Sequence, residues 1–401
     1  AMHQLKHWPN LKAININKLI ATFLVASLFS ISLFAQSRID GRIVDKSTSE
    51  PLVGVNVFFS KTTWGATTDE NGFYSLSNIP AGQYELVVSM IGYEVEREEM
   101  IIETNERFTM NFRLKPRAIL MNEINVTAKA DKVWKKDYGT FRRSFLGTSK
   151  NGESCIILNE FVLSFENSGE YFSAKASQPL RIENSELGYR ITYILDDFEI
   201  DGTEVRFAGD HFFEEIDSKS KRQLKKWNKN RQKAYNGSLR HFLKTLTERF
   251  DLRFTIENDY FKQNDNWRSI AGRKKDPLVR EGFSVFINKK DLFGTSLIIP
   301  SEYKPLKNDT LVFMGNSSQE PIISFEGRMM VVYAKESPEI AYMMENDSPT
   351  SYQQTSYLLL RADSVYFDKE GRYFEPYMIE QQGYASWERI GDQLPFNYTN
   401  E

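Results

Sequence analysis

From Arg38 to Leu114 apolar and polar side chains alternate in short runs separated by turn residues. Val53, Val55, Val57 and Phe59 share one face of the first clear run. Tyr84, Leu86 and Val88 alternate with Glu85, Val87 and Ser89 in another, and Phe108, Met110, Phe112 and Leu114 alternate with Thr109, Asn111 and Arg113 in a third. A period of two with one apolar face marks a half-buried strand and requires a second layer over that face. Between these runs, Thr68-Asp69-Glu70-Asn71-Gly72 precedes Phe73-Tyr74, and Asn71-Gly72 supplies the positive φ angles of a tight hairpin turn. The same acids lack the twelve-residue ligand series and distal glutamate of an EF-hand calcium loop.

After residue 150 the β pattern returns. Ile156 to Glu166, Glu170 to Ala176, Tyr189 to Phe198 and Glu204 to Phe207 predict a second antiparallel sheet. Gly282 to Asn288, Thr295 to Ile299, Thr310 to Met314, Ile322 to Phe325, Met329 to Tyr333 and Ser356 to Phe367 continue it. Between the two sets, Asp217 to Phe250 predicts helix, divided at Asn236-Gly237 with Ser238 capping the second half. Leu239, Phe242, Leu243, Leu246 and Phe250 recur at helical spacing, so that half docks on a β core. The first half carries Lys219, Lys221, Arg222, Lys225, Lys226, Lys229, Arg231 and Lys233, eight basic side chains in fifteen residues with no acid among them. Lys221, Lys225, Lys229 and Lys233 form an i, i+4 ladder whose like charges repel by a few tenths of a kcal/mol per pair. Such a face is either solvated or kept for an anionic partner: lipopolysaccharide, an acidic glycan or an envelope protein.

The first 35 residues have another pattern, Lys6, Lys12 and Lys18 followed by the apolar run Leu19 to Phe34, which reads as a secretory signal peptide. The run is shorter than the ~20 residues of a spanning helix. The 401-residue chain carries a net charge of -3, and this segment holds three lysines and no acid, so the remainder is more acidic still. Nucleic acid is therefore not an expected partner; membrane association through the envelope is. Cys155, the single cysteine, has no intrachain disulfide partner and sits beside Ile156, Ile157 and Leu158, as a buried small hydrophobe does.

Four segments carry a family resemblance: Gly41-Arg42-Ile43-Val44-Asp45, Glu50-Pro51-Leu52-Val53-Gly54-Val55-Asn56-Val57, Thr67-Thr68-Asp69-Glu70-Asn71-Gly72-Phe73-Tyr74 and Ser89-Met90-Ile91-Gly92-Tyr93. Together they resemble the carboxypeptidase-regulatory-like domain, a prealbumin-like sandwich of seven strands. The resemblance implies a non-catalytic accessory, of the kind placed at the N-terminus of TonB-dependent outer-membrane receptors of Gram-negative bacteria. Leu120 to Ala128 resembles the segment joining that domain to a receptor plug. The 273 residues after it are too few for a 22-stranded transporter, whose strands alone take about 220 residues before plug and loops are added. Phe145-Leu146-Gly147, Cys155 to Asn159, Ala234-Tyr235-Asn236-Gly237-Ser238 and Gly383-Tyr384-Ala385-Ser386-Trp387-Glu388-Arg389 resemble uncharacterised exported proteins that place a longer region after such a domain.

Catalytic constellations are sparse. His211-Phe212-Phe213-Glu214 gives His-x-x-Glu spacing and His241 lies farther on, a set that would serve a zinc peptidase if the three converged. Asp196, Asp197, Glu199 and Asp201 offer paired carboxylates for glycoside hydrolysis. No Gly-x-Ser-x-Gly elbow and no phosphate-binding Gly-x-x-x-x-Gly-Lys loop occurs. The expectation is a mainly β, non-enzymatic envelope protein without cofactor or metal. Its parts are a signal peptide at 1–35, the sandwich at 36–117, a linker at 118–135, and a β-rich region with inserted helical hairpin at 136–401. An envelope hydrolase and a small outer-membrane barrel are the alternatives.

Overall fold

The computed structural model describes residues 37–117, 132–262, 276–290, 296–300, 312–314, 321–346, 352–373, 375 and 377–400. The expected signal peptide and the junction from Leu120 to Ala128 lie outside the described residues.

The alternating N-terminal runs become β1 (Ser37–Asp45), β2 (Asn56–Phe59), β3 (Gly65–Thr67), β4 (Phe73–Ile79), β5 (Gly82–Ser89), β6 (Glu96–Ile102), β7 (Arg107–Thr109) and β8 (Phe112–Leu114). One sheet has the order β4-β1-β7 with β8 also on β1, and the other has the order β3-β2-β5-β6. Because β7 and β8 run parallel to successive stretches of β1, they act as one interrupted strand, and the sandwich counts seven. Ile39, Ile43, Val55, Val57, Leu76, Leu86 and Val88 fill the space between the sheets. Each such side chain contributes about 1.5–3 kcal/mol by leaving water. The Asn71-Gly72 turn forms, with Asp69 Oδ1 accepting from the amides of Asn71 and Phe73 at 2.9 and 2.8 Å. It is not a hairpin, however: β3 pairs with β2 and β4 pairs with β1, so the turn carries the chain from one sheet to the other. Of the two turn residues only Gly72 takes a positive φ, +76°. Periodicity assigns faces, and it does not assign partners.

A second core lies beyond the sandwich. Helices α1 (Lys132–Leu146) and α2 (Lys150–Glu153) accompany a six-stranded sheet of β9 (Cys155–Ile157), β10 (Leu163–Asn167), β11 (Tyr171–Ala176), β12 (Leu180–Asn184), β13 (Tyr189–Asp201) and β14 (Glu204–Glu215). The expected linker at 118–135 therefore ends early, since α1 has begun by Lys132. Trp134, Tyr138, Phe141 and Phe145 stand three or four residues apart and form the apolar stripe that holds α1 on the sheet; Phe141 meets Phe198 at 4.7 Å between ring centroids. The β13–β14 hairpin is longer than expected, because the second strand continues through polar and aromatic residues to Glu215.

The helical hairpin is α3 (Lys221–Tyr235) and α4 (Leu239–Lys262), parted at Asn236 to Ser238, where Ser238 Oγ accepts from the His241 amide at 3.2 Å. Phe242, Leu243 and Leu246 of α4 enter a third core with Phe283, Val285, Met329, Val331 and Leu358. The remaining elements are α5 (Pro277–Glu281), β15 (Phe283–Lys290), β16 (Ser296–Pro300), β17 (Val312–Met314), β18 (Pro321–Ile323), β19 (Arg328–Tyr333), α6 (Ile340–Glu345), β20 (Gln354–Leu360), β21 (Val365–Tyr366), β22 (Ile379–Gly383) and α7 (Tyr384–Trp387). They build a sheet of order β16-β15-β19-β20-β22 and a small sheet β17-β18-β21. Among the described residues the strands fall into five sheets of at most six strands. A transmembrane barrel closes at least eight strands into one sheet, and no described helix is long and apolar enough to cross a membrane.

Candidate functional site

The expected peptidase triad does not converge. His211 and Glu214 lie three residues apart on β14, so strand alternation sends them to opposite faces: His211 is buried and Glu214 is exposed opposite Arg190. His211 stacks on Tyr193 at 5.2 Å, and burial first, then the Lys61 charge, pushes its pKa down to about 3. His241 belongs to the third core, against Phe283 at 4.9 Å, with Nδ1 accepting from the Gly237 amide at 3.1 Å. Burial lowers it to about 4. Among the described residues no group of three His, Cys, Asp or Glu side chains is placed to hold a metal. Cys155 is buried, its Sγ 3.3 Å from the Asn151 carbonyl, and burial raises its thiol to about 12.

Of the four acids of β13, Asp196, Asp197 and Glu199 line one cavity, each engaged by a different partner. Asp196 pairs with Arg97 at 2.7 Å, Asp197 accepts from the Tyr377 hydroxyl at 3.0 Å, and Glu199 accepts from Tyr171 at 2.8 Å and meets Arg206 at 3.2 Å. Asp201 lies opposite Glu204 at the end of the hairpin. A register shift between Leu195 and Asp197 interrupts the simple alternation that the sequence suggests.

On α3 the basic run divides. Arg231 is buried, 4.0 Å over the Tyr189 ring and bonded to the Leu187 carbonyl at 2.8 Å. Trp227 lies across Gly188, where an added Cβ would meet the indole at 2.4 Å, and donates to the Ser185 carbonyl at 2.8 Å. Lys226 pairs with Glu186 and Lys233 with Glu339, each at 2.7 Å. Lys221, Lys225 and Lys229 stand exposed without an ion pair among the described residues. The ladder expected to be uniform thus has Lys233 neutralised by another element. Ser220 caps α3, but no acid occupies its first turn, so the free lysines oppose the helix dipole.

The seam between the sandwich and the second core is invisible in the sequence. The Lys61 amide donates to the His211 carbonyl at 2.6 Å, and the Phe213 amide donates to the Thr62 carbonyl at 2.9 Å. Thr62 and Phe212 thereby form a parallel bridge. From the other side the Phe396 amide donates to the Lys61 carbonyl at 2.6 Å, and Asn397 exchanges two bonds with Thr63 at 3.0 and 2.6 Å. Asp210 accepts from Ser60 Oγ at 2.7 Å and from Arg97 Nε at 2.6 Å. Glu85 faces the same carboxylate; burial first, then the Asp210 charge, raises it to about 7. Phe58 packs on Phe212 at 5.5 Å, beside Val87 and Ile194.

Beside the seam lies a cavity of about 1490 Å³. Its walls are the Lys61 turn, β14 from Glu204 to His211, β22 with Met378, and the segment Ala385 to Leu394. The buried Nδ1 of His211, a lining residue, has no hydrogen-bond partner among the described residues.

Residues 39–126 match the family model of the CarboxypepD_reg-like domain. That part of the chain is a CarboxypepD_reg-like domain. TonB-dependent receptor SusC of Bacteroides thetaiotaomicron is 35% identical over 109 residues, which are 27% of this chain and 10% of that protein. TonB-dependent receptor P39 of Formosa agariphila is 35% identical over 104 residues, 26% of this chain and 9% of that one. Carboxypeptidase E of Caenorhabditis elegans is 29% identical over 106 residues, 23% of this chain and 21% of that one. The chain therefore spans between about a tenth and a fifth of the curated relatives it matches. The CarboxypepD_reg-like domain supplies Lys61, Glu85 and Arg97 to the cavity. In the sequence these three polar positions sit among strand and turn residues with nothing to mark them.

Proposed function

We propose that this chain is a non-enzymatic accessory protein of the bacterial cell envelope, exported to the periplasm, outer membrane or cell surface, where it binds an anionic partner. The observation that carries this reading is the CarboxypepD_reg-like domain, also present in TonB-dependent receptors, fused here to a second core through a buried polar seam. The dispersal of His211, Glu214 and His241 into separate contacts supports binding over zinc-peptidase chemistry. The exposed face of α3 is the contact surface: each lysine near an anionic surface is worth about 1 kcal/mol, and the attraction fades beyond the Debye length, ~8 Å at physiological salt. Its partner is an acidic envelope component such as lipopolysaccharide or an acidic glycan.

The test compares the native chain with a variant carrying Lys221→Gln, Lys225→Gln and Lys229→Gln in washed envelope fractions. The native chain stays bound at low salt and is released at high salt, and the variant is released at low salt. Equal retention of the two would reject α3 as the anchor.

A further inference from the structure

The cavity beside the seam is bounded by two free sheet edges. β14 pairs with β13 on one side only, and β22 is the terminal strand of its sheet. The bonds made by His211 and Phe213 to the Lys61–Thr62 turn fix which residues of β14 direct their backbone outward: the odd-numbered ones. Alternation then turns the amides and carbonyls of Val205, Phe207 and Gly209 to the same edge. On β22 the Met378 carbonyl accepts from Arg361 inside the sheet, so Ile379 and Gln381 present their backbone outward. Among the described residues no strand pairs with either stretch. Both stretches line the same cavity.

An unpaired strand edge is a template for another strand. Here the template is already in use at one end, because Lys61 and Thr62 have added to β14 at His211 to Phe213. The unused length from Val205 to Gly209 continues that interface and accommodates about five extended residues at ~3.3 Å each. The chemistry of the walls narrows the occupant. Nine carboxylic side chains and six basic ones line the cavity. Arg97 is taken up by Asp196 and Asp210, Arg206 by Glu199, and Arg361 by Glu380 and Glu204. Among the described residues Glu85, Asp197, Glu388 and Asp392 of the lining have no ion pair, against Lys61, Arg240 and Arg389, so carboxyl groups remain in excess by one unpaired group and by three overall.

We propose that this cleft docks an extended peptide segment of a partner protein, bearing lysine or arginine, whose backbone pairs with the free edge of β14 opposite β22. The inference goes beyond the envelope-binding reading and uses a different surface from α3, so either can fail while the other holds.

The experiment pans a phage-displayed library of random twelve-residue peptides on the full chain and titrates the recovered peptides, as fluorescein conjugates, by polarisation. Recovered sequences are enriched in lysine and arginine, and replacing those residues by glutamate weakens binding at least tenfold. Methylating alternate backbone nitrogens of a recovered peptide does the same, because it removes the donors that pair with β14. Val205→Pro deletes an outward amide at a position where an edge strand tolerates proline, and it also weakens binding at least tenfold. Gln381→Pro probes the opposite edge and stands in for Val205→Pro should that variant fail a thermal-unfolding check. Acidic recovered peptides, or affinities unchanged by backbone methylation and by both proline substitutions, would overturn the proposal. So would recovery of no peptide above bare support.

Discussion

Arg97 at the seam and Lys225 on α3 carry the same charge under different physics. Arg97 spans two carboxylates, one of them on Asp210, whose side chain is 6% exposed, and it links the CarboxypepD_reg-like domain to the second core. Lys225 stands in water on a helix face held down from behind by Trp227 and Arg231. In the first setting a lost partner leaves a buried group unsatisfied; in the second, solvent replaces it. Burial, more than the number of charges, therefore decides which basic residues hold the structure together and which are free for a partner.

Four substitutions sharpen that contrast. The largest effect belongs to the apolar reference: Phe145→Ala, at a side chain with no exposure in the second core, costs about 3–5 kcal/mol by urea denaturation. Asp210→Ala comes next at about 2–4 kcal/mol, since it leaves the buried Ser60 hydroxyl without its acceptor and takes from Arg97 the buried one of its two carboxylates. A loss under about 1 kcal/mol there would put the seam in the same class as the helix face.

Glu85 gives the contrast a pH axis. Its folded pKa of about 7 lies above the ordinary 4.5, so between these values the folded state binds more protons than the unfolded one. Its stabilising contribution is complete below about pH 4.5 and is lost as pH rises through 7. Glu85→Gln stays neutral, so its stability relative to the native chain rises by about 1–2 kcal/mol from pH 5 to pH 8, after discounting for solvent screening. Denaturation curves of both proteins at the two pH values check this, and a parallel pH dependence would remove Glu85 from the seam's energetics. The smallest effect is that of Lys225→Gln, within about 0.5 kcal/mol of the native stability by the same measurement.

Much of the fold is legible because its signals are local. Val55, Val57 and Phe59 recur with a period of two, and Phe242, Leu243 and Leu246 recur at helical spacing; both patterns survive as core faces in the structure. Helix α1 escapes a reading of the sequence because Lys132, Lys135, Lys136, Arg142 and Arg143 mask the stripe from Trp134 to Phe145. The Asn71-Gly72 turn falls at the expected residues and joins an unexpected partner, since a turn sequence fixes local dihedral angles while sheet pairing is settled far along the chain. The lysines of α3 are legible as a set; the removal of Lys233 by Glu339, 106 residues away, is not.

By itself the sequence determined the CarboxypepD_reg-like sandwich, the β character of the chain beyond residue 150 and the basic face of α3, because period, turn chemistry and charge act over a few residues. Only the tertiary structure decided that Ser60, Glu85 and Arg97 meet Asp210, and that β14 and β22 leave free edges on one cavity. Those facts depend on which strands become neighbours and which backbone edges stay unpaired. They are properties of long-range packing, set by the joint burial of residues more than a hundred positions apart.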